Sequence, residues 1–311
     1  MTRRLAPILV IGGPTGSGKS GLAVRLALEF SGEILNCDSL QVYRHFNIGT
    51  AKIPISERGG VTHHLIDAVE PGEGFTAGEF ARRGRDVLSA ITGRENLPIV
   101  AGGTGFYLRA LLEGLPEAPP RDVNLRRRLA LREQKRPGSL HSILQRLDPI
   151  SGARIHPSDT SKIIRALEIR ILSSRNRSGV APGIKLEGYQ TAKLGLFPPR
   201  ALLYSALNQR SEEMFSEGLI EEVRELLAKG IPRDARPFGS LGYKEVLALV
   251  EGRISREEAL QQMQQETRQY AKRQMSWFRS EREMEIIEGF GDDPHVVEVA
   301  RERTRRLLNL Q

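Results

Sequence analysis

Apolar residues follow two rhythms along this chain. Ile8 to Ile11, Glu33 to Cys37 and Leu97 to Ala101 are short runs rich in Ile, Leu and Val, the pattern of strands buried on both faces of a parallel sheet. Between them apolar positions recur at helical spacing, as in Ser20 to Phe30, where Leu22, Leu26 and Phe30 share one face. This alternation predicts an α/β fold, a parallel sheet flanked by helices. Pro116, Pro119 and Pro120 interrupt it. Beyond them apolar residues return only at helical spacing (Leu140, Ile143, Leu144, Leu147; then Ile163, Ile164, Leu167, Ile171), which predicts a small all-helical insertion over 118–189. After the Gly/Pro-containing segment Gly179 to Gly183, Ala192 to Phe197 reads as one more strand. A long helix is expected over Ala206 to Lys229, stopped by Gly230 and Pro232, and a last major one over Arg256 to Phe278. Residues 1–117 and 190–311 are therefore expected to form one core domain around the insertion.

Composition narrows the class. The chain has 311 residues, enough for a sizeable core, with 46 Lys and Arg against 38 Asp and Glu, a net charge of +8. The surplus favours an anionic partner. Much of it gathers in the insertion, at Arg121, Arg126, Arg127, Arg128, Arg132, Lys135 and Arg136, then Arg154, Lys162, Arg165, Arg170, Arg175 and Arg177. Such runs equally suit solvated helix faces. One cysteine, Cys37, excludes a disulfide within the chain and a cysteine-based zinc cluster, and fits a reducing compartment. No apolar run reaches the ~18 residues of a membrane span. Thr2-Arg3-Arg4 followed by Leu5 to Ile11 imitates a signal peptide, but the apolar stretch runs into a glycine-rich motif rather than a cleavage site. A cytoplasmic enzyme without a membrane partner is expected.

That motif is Gly13-Pro14-Thr15-Gly16-Ser17-Gly18-Lys19-Ser20, a G-x-x-x-x-G-K-[ST] phosphate loop between a strand and a helix. Glycines let consecutive backbone N–H groups turn toward an anion, and the helix N-terminus adds partial positive charge. Lys19 supplies a point charge, and the Ser20 hydroxyl is placed to ligate Mg²⁺. A diphosphate or triphosphate ligand is implied. Phosphoryl-transfer enzymes with this loop usually carry a second carboxylate at the end of an apolar strand. Here the strand Leu97 to Ala101 ends in Gly102-Gly103-Thr104-Gly105, and the carboxylate ends the second strand instead, at Asp38. Asp38 alone reads equally as a loop brace. On the residues so far, a kinase and a nucleotide-switched RNA-binding protein both remain open.

Further strings extend the pattern: Asp38-Ser39-Leu40-Gln41-Val42-Tyr43, Ile48-Gly49-Thr50-Ala51-Lys52, His63-His64-Leu65-Ile66-Asp67, Gly102 to Tyr107, Arg165-Ala166-Leu167-Glu168, Gly242-Tyr243-Lys244-Glu245 and Gln269-Tyr270-Ala271-Lys272-Arg273-Gln274. Together with the phosphate loop, and in this order from about residue 8 to about 280, the chain resembles the bacterial tRNA dimethylallyltransferases, or isopentenyl-tRNA transferases. The resemblance implies transfer of a dimethylallyl group from dimethylallyl diphosphate to the exocyclic amine of the adenosine next to the anticodon, at nucleotide 37, in tRNAs reading codons that begin with U. It implies a P-loop core that cradles the prenyl diphosphate with Mg²⁺, a helical insertion that closes over the tRNA anticodon arm, and action as a monomer. By the same resemblance Asp38 is the general base, Thr104 contacts the target nucleotide, and Lys19 and Arg210 face the diphosphate, with hydroxyls of Thr15 and Ser17 as further donors. RNA contacts are expected at Asp38-Ser39-Leu40-Gln41, Thr104, Arg126, Ser161-Lys162-Ile163-Ile164-Arg165 and Ser240-Leu241-Gly242-Tyr243-Lys244. Tyr43, Phe106 and Tyr107 are candidates for stacking or for a prenyl pocket, and equally for plain core; His63 and His64 are taken as structural. Thr62, Leu40 and Ala206 depart from the usual pattern, the last leaving Arg210 as the arginine for the diphosphate.

Overall fold

Six parallel strands form the central sheet of a computed structural model that describes residues 5–116, 118–173 and 183–310. Thr2-Arg3-Arg4, Arg175, Arg177 and the segment from Gly179 to Pro182 lie outside the described residues. By contacts the chain divides into two compact units, Met1–Glu113 with Lys185–Gln311, and Gly114–Ile184.

In the larger unit β1 (Ala6–Gly12) leads into α1 (Lys19–Glu29), then β2 (Gly32–Asn36), β3 (His63–His64), α2 (Ala77–Gly93), β4 (Leu97–Ala101) and α3 (Gly105–Glu113). The smaller unit holds α4 (Val123–Lys135), α5 (Ser139–Leu147), α6 (Pro149–Arg154) and α7 (Thr160–Ser173). The chain then returns through β5 (Tyr189–Leu196), α8 (Arg200–Ser216), α9 (Leu219–Ala228), α10 (Tyr243–Val250), α11 (Arg256–Arg279), β6 (Met284–Ile287) and α12 (Pro294–Leu308).

The strand order is β3-β2-β4-β1-β5-β6. Ile8, Leu9, Val10 and Ile11 are all at most 1% exposed, which is why the central strand reads as an unbroken apolar run. Leu22, Ala23, Leu26 and Ala27 of α1 lie against one side of the sheet with Ala300 and Leu308 of α12. Because β4 sits between β2 and β1, the carboxyl ends of these three strands are neighbours. That is where open α/β sheets bind ligands. In the smaller unit Leu129, Leu140, Leu144, Ile163 and Leu167 close a separate core, whereas Leu147 is exposed.

Three details depart from the sequence reading. The expected helix over 206–229 is two helices, because Gly218 takes a left-handed φ of 104° and serves as the N-cap of α9. Two edge strands, β3 and β6, are only two and four residues long, too brief to stand out as apolar runs. Finally, α11 is not the last major helix: α12 follows, started by the Asp293 cap and Pro294 in its first turn.

Candidate active site

Gly18 makes the phosphate loop possible at its tightest point. Its φ of 80° turns the chain into α1 as the helix N-cap, a conformation that costs little only without a side chain. Among the described residues nothing accepts from the backbone N–H groups of Gly16, Ser17 or Gly18, and those of Lys19 and Ser20 open the helix. Five donors thus face one place where a helix dipole also favours negative charge. Pro14 brings no N–H; its carbonyl accepts from Lys19 Nζ at 2.5 Å. Burial lowers the Lys19 ammonium to about 8, with Asp38 pulling it up and Arg210 pushing it down. Burial likewise lowers Arg210, against the carboxylates of Glu213, Glu217 and Asp38. Lys19, Asp38 and Arg210 therefore lie within electrostatic reach of one another. Ser20 is exposed in the first turn of α1. The Ser17 hydroxyl is enclosed, its oxygen out of solvent and without a hydrogen-bond partner among the described residues.

Two residues past the end of β2, Asp38 is half-buried, and its Oδ1 accepts the N–H of Leu40 at 2.8 Å and of Gln41 at 3.4 Å. Ser39 N–H donates to Thr104 Oγ1 at 3.1 Å, which ties the loop after β2 to the loop after β4. Cys37 Sγ lies 3.7 Å from the Thr104 carbonyl, and burial, with the charge of Asp38, pushes its thiol well above the ordinary range. Gln41 donates to the carbonyls of Thr50 and Ala51, and Lys52 bonds Asp67 at 2.6 Å. The Gly49-Thr50-Ala51-Lys52 string and the string ending in Asp67 thus brace this loop. His64 bonds Glu33 at 2.7 Å and His63 bonds the Val61 carbonyl, both structural partners.

Other expected contacts sit apart from this cluster. Tyr243 is fully buried, its ring edge-on to Phe46 at 4.8 Å and its hydroxyl on Glu222 and the Gly49 N–H. Its side chain is core and offers no face to RNA. Gly242 is buried as well, Ser240 and Leu241 are half-buried, and Lys244 bonds Glu266. Tyr43 and Tyr107 are core, while Phe106 is 58% exposed beside Thr104. In the smaller unit Ile163 is fully buried and Ile164 half-buried, whereas Ser161 and Lys162 are exposed. Arg126 and Arg165 have an internal partner: both guanidinium groups bond Glu168, which is 0% exposed, at 2.8 and 2.6 Å. Burial works against that carboxylate, but Arg126, Arg165 and the Asp122 N–H hold it at about 2. Arg126 and Arg165 first serve an internal charge. By contrast Arg127, Arg128, Arg132, Lys135 and Arg136 are exposed, and no carboxylate among the described residues pairs with them.

Two residues of α11, Tyr270 and Gln274, stand in the Gln269-to-Gln274 string but were given no role in the sequence reading. Gln274 Oε1 accepts the N–H of Thr15 at 2.8 Å, and its Nε2 donates to the Gly103 carbonyl at 2.9 Å. Tyr270, one turn earlier, lies beside Thr104 and Asp38, and burial with the charge of Asp38 raises its phenol. Polar residues four apart on an otherwise buried helix face were the available signal.

Residues 41–281 match the family model described as IPP transferase. The chain is 52% identical over 304 residues to the tRNA dimethylallyltransferase of Solibacter usitatus, covering 97% of this chain and 99% of that protein. It is 49% identical to that of Koribacter versatilis, over 93% of this chain and 95% of the relative. Among solved structures, the full-length tRNA isopentenylpyrophosphate transferase of Bacillus halodurans superposes with a TM-score of 0.71 at 33% identity, covering 98% of each chain. A eukaryotic dimethylallyltransferase acting on tRNA also reaches 0.71, at 25% identity, over 93% of this chain and 74% of that one.

Proposed function

The chain belongs to the IPP transferase family, and on that premise we propose that it is a tRNA dimethylallyltransferase. It moves the dimethylallyl group of dimethylallyl diphosphate onto the exocyclic amine of the adenosine 3′-adjacent to the anticodon. The observation that carries this reading is the meeting of a loop of backbone N–H donors with a carboxylate and a hydroxyl on neighbouring strand ends, while β4 ends without the carboxylate that phosphoryl transfer uses.

In the reaction the allylic carbon–oxygen bond breaks and its electron pair leaves with the diphosphate, as the adenine nitrogen forms a bond to the same carbon. The amine is a poor nucleophile because its lone pair is conjugated into the ring, and it sheds a proton as the new bond forms. Asp38 accepts that proton, held in place by the N–H groups of Leu40 and Gln41. The N–H groups of Gly16 to Ser20, the Lys19 ammonium and Arg210 stabilise the charge that gathers on the leaving group. Thr104 orients the acceptor side. Among the described residues no group of three His, Cys, Asp or Glu side chains suits a metal, but the exposed Ser20 hydroxyl suits Mg²⁺, which takes most of its ligands from water and substrate phosphates. When bound there, the ion neutralises diphosphate charge.

An adenine stacked in a loop must flip out to reach Asp38, at a cost of a few kcal/mol. Cations of α4 in the smaller unit supply sequence-independent hold on the RNA backbone. No described helix is long and apolar enough to cross a membrane, and we place the reaction in the cytoplasm with its RNA substrate. Incubation with an anticodon-arm RNA, Mg²⁺ and dimethylallyl diphosphate should raise the RNA mass by one dimethylallyl group in place of hydrogen. Consumption of ATP with an unmodified RNA would instead support a kinase and end this reading.

A further inference from the structure

From the two hydrogen bonds of Gln274 we propose that this side chain is the positioning residue that fixes the spacing between the leaving group and the nucleophile. The inference rests on the prenyl-transfer reading above and assigns Gln274 a role exerted through the two main-chain groups it bonds. Gln274 is 6% exposed and bonds one backbone group on each side of the reaction: the N–H of Thr15 in the diphosphate loop and the carbonyl of Gly103, next to Thr104. Both partners are main-chain groups of fixed polarity, so only one orientation of the amide satisfies them, with its oxygen accepting and its nitrogen donating.

The surrounding glycines support the same conclusion. A Cβ on Gly103 would collide with Gln274 Nε2, one on Gly105 with the Trp277 ring, and one on Gly12 with the Phe278 ring. Two strand ends are thus stripped of side chains so that one face of α11 can stand against both. This also accounts for Gly103 and Gly105 of the string after β4, while Gly102 makes room for the Cys37 carbonyl instead. Alkyl transfer demands in-line geometry, and a displacement of about 1 Å costs on the order of 100-fold in rate. A link between the two loops sets that geometry.

The test compares wild type with Gln274→Met, which keeps length but loses both bonds, and Gln274→Glu, which keeps the acceptor but cannot donate while ionised. Single-turnover rates are measured at saturating substrates, alongside calorimetric affinities for inorganic diphosphate and for anticodon-arm RNA. Gln274→Met should lose roughly 10- to 100-fold in rate while each affinity stays within about threefold. Gln274→Glu should recover relative to wild type as pH falls from about 8 to about 6, since its protonated form again donates to Gly103. Rates within twofold of wild type, or losses matched by weaker diphosphate affinity, overturn the proposal. Should Gln274→Met fail to fold, a pH-independent ratio for Gln274→Glu overturns it alone. A wild-type protein that never alkylates the RNA refutes the prenyl-transfer reading itself and this inference with it.

Discussion

Replacing Asp38 by asparagine keeps an oxygen where Oδ1 accepts the Leu40 N–H, yet removes the basic carboxylate. Asp38→Asn should therefore lower turnover by about 10²- to 10⁴-fold, the usual worth of a general base, with RNA affinity unchanged within a few-fold. Asp38→Ala removes the turn's acceptor as well and should add a loss of RNA affinity. Filter binding and single-turnover rates separate the two. At Lys19 the sign follows from burial, which holds the free site's ammonium at about 8. Dimethylallyl diphosphate binds the protonated form, so affinity should be flat below that pH and fall about tenfold per unit above it, with proton uptake on binding. Calorimetry in buffers of different ionisation enthalpy reads that uptake directly. The phosphate loop was fully legible in the sequence because its spacing is itself the chemistry. Gln274 was visible there only as part of a string, and its role was not, since its partners are main-chain atoms distant in sequence.

At the scale of elements, legibility follows burial on both sides. Strands β1 and β4 stand out because every inward and outward position is apolar. The edge strands β3 and β6 are known only through their neighbours, and Gly218 divides a continuous apolar stripe that periodicity alone reads as one helix. The Arg165-Ala166-Leu167-Glu168 string gains a structural reason at this scale. Its glutamate joins α7 to Arg126 of α4 and also accepts from Arg165, making a fully enclosed carboxylate the joint of the smaller unit. Glu168→Ala strands two guanidinium groups and should destabilise that unit by about 3 kcal/mol, the lower end for breaking a buried ion pair. Faster hydrogen exchange across 123–173, with the amides of β1 and β4 unchanged, is the expected signature. Because its folded value of about 2 lies below the ordinary 4.5, this stabilisation is complete above about pH 4.5 and is lost as pH falls toward 2.

Across the whole molecule, a net charge of +8 is modest, and its distribution decides how it acts. Arg128, Arg132 and Lys135 share one flank of α4, exposed and without carboxylate partners among the described residues. Neutralising all three should weaken RNA binding alike for all sequences and reduce the slope of log affinity against log salt by about 0.7 to 0.9 for each phosphate that is no longer neutralised. Neutralising Arg126 and Arg165 should instead disturb the fold through Glu168, a contrast that titrations at several salt concentrations can resolve. The molecule also carries an internal clock. Its single thiol, on Cys37, is 3% exposed and stands beside Asp38 just past the carboxyl end of β2. Only a thiolate reacts with alkylating reagents, and here the folded sheet withholds both access and ionisation. Iodoacetamide labelling should therefore proceed at the rate at which the sheet opens, leave the folded enzyme active, and slow when diphosphate is bound.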